Sequence, residues 1–250
     1  MKITNVRTLY PYVNKGLLIG YGRTAFCYRL PDNRVLKLYV ETYSKQDYFN
    51  KYNDMLEHLD LLHIISNDSF IGPDEVLMRD NKVVGYIYPY IDGTTIKTMR
   101  NKTRLSDLYC NFNKLIEDTV KVGNHQFMLI DVHNENILFD GSRYYVIDLD
   151  QGKLSVDDTN PIQRSITRNV REVATTITNT YFRGDNGYIL KFRDLNIDEI
   201  YRNINWQDDK QVYDFFRALS ERCHSANPTL GEVRRKVKVK LDFNDYRRPF

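Results

Sequence analysis

The hydrophobic period of this chain changes once, and that change limits the folds open to it. Between Leu17 and Tyr88 the apolar residues lie in short runs rich in β-branched and aromatic side chains; beyond Gly93 they recur at three- and four-residue steps. Residues 17–20, 26–30 and 34–40 read as strands, separated by a glycine turn and by Pro31-Asp32-Asn33. Two more strands fit 75–78 and 83–88, with Asp80-Asn81 as their turn. One helix interrupts them, capped by Ser44 and running to about His63, with Tyr48, Tyr52, Met55, Leu56, Leu59 and Leu62 on one face. The second region predicts helices from a Ser106 cap to about Val122, then over 162–181, 197–204 and 208–223, with a strand–turn–strand unit at 127–148. Strands first and helices afterwards predict an α+β chain. Its expected parts are a small antiparallel sheet with one helix (1–88), a connector (89–95) and a mainly helical remainder (96–250).

Composition excludes several classes. Apolar residues at 42% and charged residues at 28% are globular values. Lys plus Arg number 36 against 33 Asp plus Glu, so no nucleic acid is expected as the main ligand. No run of about 18 apolar residues predicts a membrane span. Residues 1–7 lack the apolar stretch of a secretory signal. Cys27, Cys110 and Cys223 are too scattered for a disulfide framework and read as reduced thiols, which places the chain in the cytoplasm.

The densest chemical signal is Leu129-Ile130-Asp131-Val132-His133-Asn134-Glu135-Asn136-Ile137-Leu138-Phe139, followed by Tyr144-Tyr145-Val146-Ile147-Asp148-Leu149-Asp150. Asp131 and Asn136 sit five apart in a loop that opens a short strand, and Asp148 ends the next strand. Such a hairpin sets Asn136 beside Asp148. Two hard oxygen ligands suit Mg²⁺, which takes one or two carboxylates together with substrate phosphates. Asp131 is placed to accept a proton rather than to hold metal.

These residues resemble the protein-kinase superfamily, whose catalytic loop reads H-R-D-x-x-x-x-N and whose metal motif reads D-F-G. Here Leu-Ile precedes Asp131 and Asp150 stands where the glycine would be. The Ile147-Asp148-Leu149-Asp150 stretch is similar to that of aminoglycoside phosphotransferases and lipopolysaccharide-sugar kinases. The resemblance extends upstream. Gly20-Tyr21-Gly22-Arg23-Thr24-Ala25 would be the phosphate-covering loop, with Ala25 for its third glycine and Cys27 beneath the adenine. Lys37 would contact the α- and β-phosphates, held by Glu57 on the helix. Tyr88, Pro89, Tyr90 and Ile91 would form the adenine-binding hinge, with Tyr88 as gatekeeper and backbone groups of Pro89 and Ile91 reading the base.

Taken together the resemblance implies a two-lobed kinase-like fold using ATP and Mg²⁺. The γ-phosphate would pass to a hydroxyl acceptor, a protein Ser/Thr in the first instance, with a sugar or other small molecule as the alternative. A nucleotide-binding pseudokinase is the other alternative, motivated by the altered His-Arg and Gly positions. Pro228-Thr229 resembles the start of the last kinase helix and equally fits a plain helix cap. His133 would at most orient the loop, and the basic run 234–240 reads as a solvated face.

Overall fold

The computed structural model describes residues 2–5, 16–22, 24–40, 59–79, 82–99, 101–155, 159–182, 190–237 and 239–241. Ser44, Glu57, Arg23 and the Asp80-Asn81 turn lie outside the described residues. The chain divides into two compact units. The first holds residues 1–67, 71–92 and 148–150; the second holds 68–70, 93–147 and 151–250.

The first unit is built on a six-stranded sheet. Its strands are β1 (Lys2–Asn5), β2 (Leu17–Tyr21), β3 (Ala25–Arg29), β4 (Arg34–Tyr39), β5 (Glu75–Arg79) and β6 (Lys82–Pro89), in the order β1-β5-β6-β4-β3-β2. The expected strands pair antiparallel. β1 adds a parallel edge on β5 that the sequence reading left out. Leu30, Leu36, Leu77 and Ile87 form a buried cluster with Tyr28, Leu38 and Val84 against it. The turn between β3 and β4 closes through Leu30 and Arg34, and Asn33 takes a left-handed conformation (φ 61°) that asparagine tolerates well. Gly85 on β6 is demanded by packing, because a Cβ there would lie 2.2 Å from the Lys37 carbonyl oxygen. Residues 59–64 are helical.

The second unit is mainly helical. Its elements are β7 (Thr94–Thr95), α1 (Ile96–Met99), α2 (Leu105–Asn124), β8 (Phe127–Met128), β9 (Ile137–Phe139), β10 (Tyr144–Val146), β11 (Lys153–Leu154), α3 (Pro161–Phe182), β12 (Leu190–Phe192), α4 (Leu195–Asn203), α5 (Asp209–Cys223), α6 (Leu230–Val237) and β13 (Val239–Leu241). The long helices α2 and α3 pack closely at Gly123, where a Cβ would come within 2.7 Å of Ile166 Cα. Phe182, Phe192, Tyr201, Trp206 and Phe215 stack edge-on and tilted behind them. Asp194 and Asp208 cap α4 and α5 through N–H groups of the first turn. None of the described helices is long and apolar enough to cross a membrane.

Two sequence expectations change here. Ser106 is not the cap of α2: Arg104 precedes the helix, and the Ser106 N–H is taken by the Asn227 side chain (3.2 Å) from 121 residues away. The segment 234–240 is not one solvated face. Its first part completes α6, and the Arg234 guanidinium donates to the carbonyls of Tyr181 and Thr180 at the end of α3. Thr229 does cap a helix: its N–H and hydroxyl donate to Glu232, whose N–H donates back to the Thr229 hydroxyl oxygen (3.3 Å), a capping box at the start of α6.

Candidate active site

Within the first unit, the site is assembled on β4. Residues two apart on a strand face the same way, so Lys37 and Tyr39 present their side chains together. The segment 148–150 meets them. The Lys37 ammonium pairs with Asp148 Oδ1 and, at 3.2 Å, with Asp150 Oδ1, while the Tyr39 hydroxyl donates to Asp150 Oδ2. Lys37 and Asp150 are buried. Asp148 is left-handed (φ 65°), an uncommon conformation for a residue with a side chain, and it opens the 3₁₀ turn Leu149–Gln151.

The electrostatics follow from this packing. Burial alone would drive the Lys37 pKa down, but the charges of Asp150 and Asp148 more than offset it, and the net shift is upward. The Asp148 carboxyl is pushed up to about 7, by burial first and by Asp150 next, with Lys37 opposing. Burial and the Asp150 charge hold the Tyr39 phenol well above its ordinary range, so it stays a neutral donor.

The other residues of this half surround β4. Cys27 is directly opposite Lys37 on β3, half-buried, and burial pushes its thiol up. Tyr86 is opposite Lys37 on β6, and its ring packs against those of Tyr39 (6.0 Å) and Tyr88 (5.9 Å). Pro89 ends β6 opposite Arg34. The Tyr90 N–H bonds the Asn33 carbonyl (3.3 Å) and the Arg29 guanidinium covers the Tyr90 ring at 3.9 Å. Ile91 follows, half-buried. Between β2 and β3 the Gly22 N–H donates to the Ala25 carbonyl (2.9 Å). A Cβ on Gly22 would meet nothing within 4 Å and one on Gly20 only Cys27 Cβ at 3.9 Å. Neither glycine has a positive φ. Neither internal packing nor backbone conformation therefore requires a glycine at these positions.

Within the second unit, Asp131 lies in a loop between β8 and β9, again left-handed (φ 64°). The Asn136 side-chain amide donates to the Asp131 carbonyl (3.1 Å), and the Asn136 N–H to the His133 carbonyl (2.9 Å). His133 Nδ1 accepts the Glu135 N–H (3.2 Å), which leaves its Nε2 to carry the proton, 3.8 Å from Asp131 Oδ2. After the β9–β10 hairpin, the Ile147 N–H donates to the Asn136 carbonyl (2.9 Å).

Two residues absent from the sequence reading support this loop. Asn169 of α3 accepts the Leu129 N–H (2.8 Å) and donates to the Phe127 carbonyl (2.7 Å), and Thr176 donates to the Val132 carbonyl (2.9 Å). Both lie on the buried face of α3 among Val170, Val173 and Ile177. Polar residues at helical spacing inside an apolar stripe were the available signal. Asn169→Leu strands two buried backbone groups, each costing about 1–3 kcal/mol. The expected result is a melting temperature lower by roughly 5–15 °C; an unchanged melting curve would show that Asn169 does not hold the loop.

A small mixed sheet carrying a buried lysine–aspartate pair, followed by a helical part whose loop carries Asp131 and Asn136, defines a protein-kinase-like fold, and the structural comparison bears this out. The chain is similar to the crystal structure of the Mycobacterium tuberculosis PknI kinase domain, with a TM-score of 0.57 and 12% identity over 82% of this chain and 92% of that one. A second crystal structure of that domain gives 0.55 and 10% over 82% and 93%. A mutant of it gives 0.55 and 10% over 82% and 92%. No protein-family model and no curated protein sequence matches the chain.

Proposed function

We propose that this chain is an ATP- and Mg²⁺-dependent phosphotransferase acting on a hydroxyl acceptor, in the first instance a protein serine or threonine, in the cytoplasm. The observation that carries the reading is the ion pair of the buried Lys37 with the part-exposed Asp148, together with a glycine turn whose glycines serve no internal need. A buried cation kept protonated by two carboxylates suits phosphate oxygens, and glycine lets backbone N–H groups approach them.

In this reading Gly20, Gly22 and Ala25 cover the phosphates, Cys27 and Tyr88 border the adenine, and the Pro89 and Ile91 backbone reads it beside Tyr90. Residues 89–95 act as the hinge between 1–88 and 96–250. Lys37 neutralises phosphate charge. Asn136 and Asp148 are the oxygen donors for Mg²⁺, and the ion would supply charge stabilisation to the transferring group. Asp131 orients the acceptor hydroxyl and takes its proton, with His133 holding the loop. Phosphoryl transfer depends mainly on position and electrostatics, so this set suffices. The presence of Lys37, Asp131, Asn136 and Asp148 together favours turnover over a pseudokinase. A small-molecule or sugar acceptor is the second reading, favoured by the Ile147-Asp148-Leu149-Asp150 stretch.

The test is a thermal-shift titration with Mg·ATP followed by transfer from radiolabelled ATP to proteins and to small-molecule hydroxyls. At 100 times its dissociation constant the nucleotide adds about 2.7 kcal/mol, so the melting temperature is expected to rise by roughly 5–10 °C. No shift at millimolar Mg·ATP overturns the reading. A shift without any transfer assigns the pseudokinase.

A further inference from the structure

Lys37 has two carboxylate partners, and they are not equivalent. The Asp150 side chain is fully buried, whereas that of Asp148 is 31% exposed. Asp150 also divides its oxygens: Oδ1 faces Lys37 and Oδ2 takes the Tyr39 hydroxyl. Because Lys37 and Tyr39 are two apart on one face of β4, a single carboxylate spanning both fixes the lysine along the strand and above it. Leu149, buried between the two aspartates, pins the 3₁₀ turn that presents them. A buried carboxylate is costly unless paired, and here both of its oxygens are engaged.

We propose that Asp150, oriented by Tyr39, is the positioning residue for Lys37, the task that the kinase resemblance gives to Glu57. This rests on the phosphotransferase reading above. It separates two duties: Asp150 anchors the lysine, and the more exposed Asp148 keeps a carboxylate face for the metal. The residue that departs from the D-F-G motif thereby acquires a role, and the lysine's anchor lies two residues from the metal ligand in the same short turn.

The test measures Kd for Mg·ATP and single-turnover transfer with the full chain carrying Asp150→Asn, Tyr39→Phe or Lys37→Met, and the doubles Asp150→Asn/Lys37→Met and Tyr39→Phe/Lys37→Met. Loss of the direct ion pair predicts that Asp150→Asn reduces the transfer rate or nucleotide affinity about 10–100-fold, and loss of the hydroxyl that only orients the carboxylate predicts that Tyr39→Phe reduces them about 3–10-fold. Both effects act through Lys37, so in the Lys37→Met background, read by Kd, each falls below about twofold. A merely structural residue would cost the same factor in both backgrounds, and that result overturns the proposal, as does wild-type behaviour of Asp150→Asn. If Asp150→Asn does not fold, the Tyr39→Phe cycle decides by the same criterion. Absence of nucleotide binding by the wild-type chain instead overturns the phosphotransferase reading itself.

Discussion

Asp131→Asn is expected to lower phosphoryl transfer about 10²–10⁴-fold, the usual cost of losing a general base, while the affinity for Mg·ATP changes less than about threefold. The amide keeps the size of the side chain and one acceptor oxygen but cannot take the acceptor's proton. Its left-handed backbone suits asparagine as well as aspartate, so the loop keeps its course. The loop's own hydrogen bonds run through backbone groups and through Asn136, His133 Nδ1, Asn169 and Thr176 without the Asp131 carboxylate. The contact of that carboxylate in the loop is the 3.8 Å approach of His133 Nε2, and the amide oxygen of asparagine can still face that nitrogen. Rapid-mix transfer assays beside nucleotide titration check both halves. Loss of nucleotide binding in this variant would remove Asp131 from the acceptor side.

Asp148→Asn is expected to act on the nucleotide itself. The change removes a charged ligand from a hard cation and a partner from Lys37. Mg²⁺-dependent ATP affinity should fall about tenfold or more and transfer about 10²–10³-fold, the range seen when one electrostatic contact to a transition state is lost. Binding of ATP without Mg²⁺ should change much less, because Asp150 still holds the lysine. A magnesium titration at fixed nucleotide separates the two effects. Normal turnover by Asp148→Asn would sink the metal assignment.

The order of strands and helices was legible because apolar periodicity is a local property, written into each segment whatever surrounds it. β1 was not: four residues, Lys2–Asn5, have no pattern of their own and become a strand only against β5, some seventy positions later. Lys37 and the Asp131, Asn136 and Asp148 set stood out through spacing and residue type. Asp150 showed only as a departure from the D-F-G pattern, since its bond to Tyr39 depends on a fold that joins residues 111 apart. Ser106 was misassigned for a related reason. Serine is a good cap by type, but Asn227, remote in sequence, occupies that place. Asn169 could have been noticed, because a polar residue in the middle of an apolar helical stripe needs a partner.

The junction at the start of α2 has a bearing on biosynthesis. Leu105 N–H bonds the Pro228 carbonyl, Ser106 N–H the Asn227 side chain, and Leu230 N–H the Thr103 carbonyl. A ribosome reaches residues 227–230 only after almost all of the helical unit has been made. Until then the first turn of α2 must be served by water. The sheet unit has its six strands by residue 89 and can condense early, since domains form as units during synthesis. The helical unit closes late, through contacts between the two ends of its sequence, and this is the slow kind of closure. Nascent chains stalled before residue 227 should therefore carry a protease-resistant sheet and a protease-sensitive helical part.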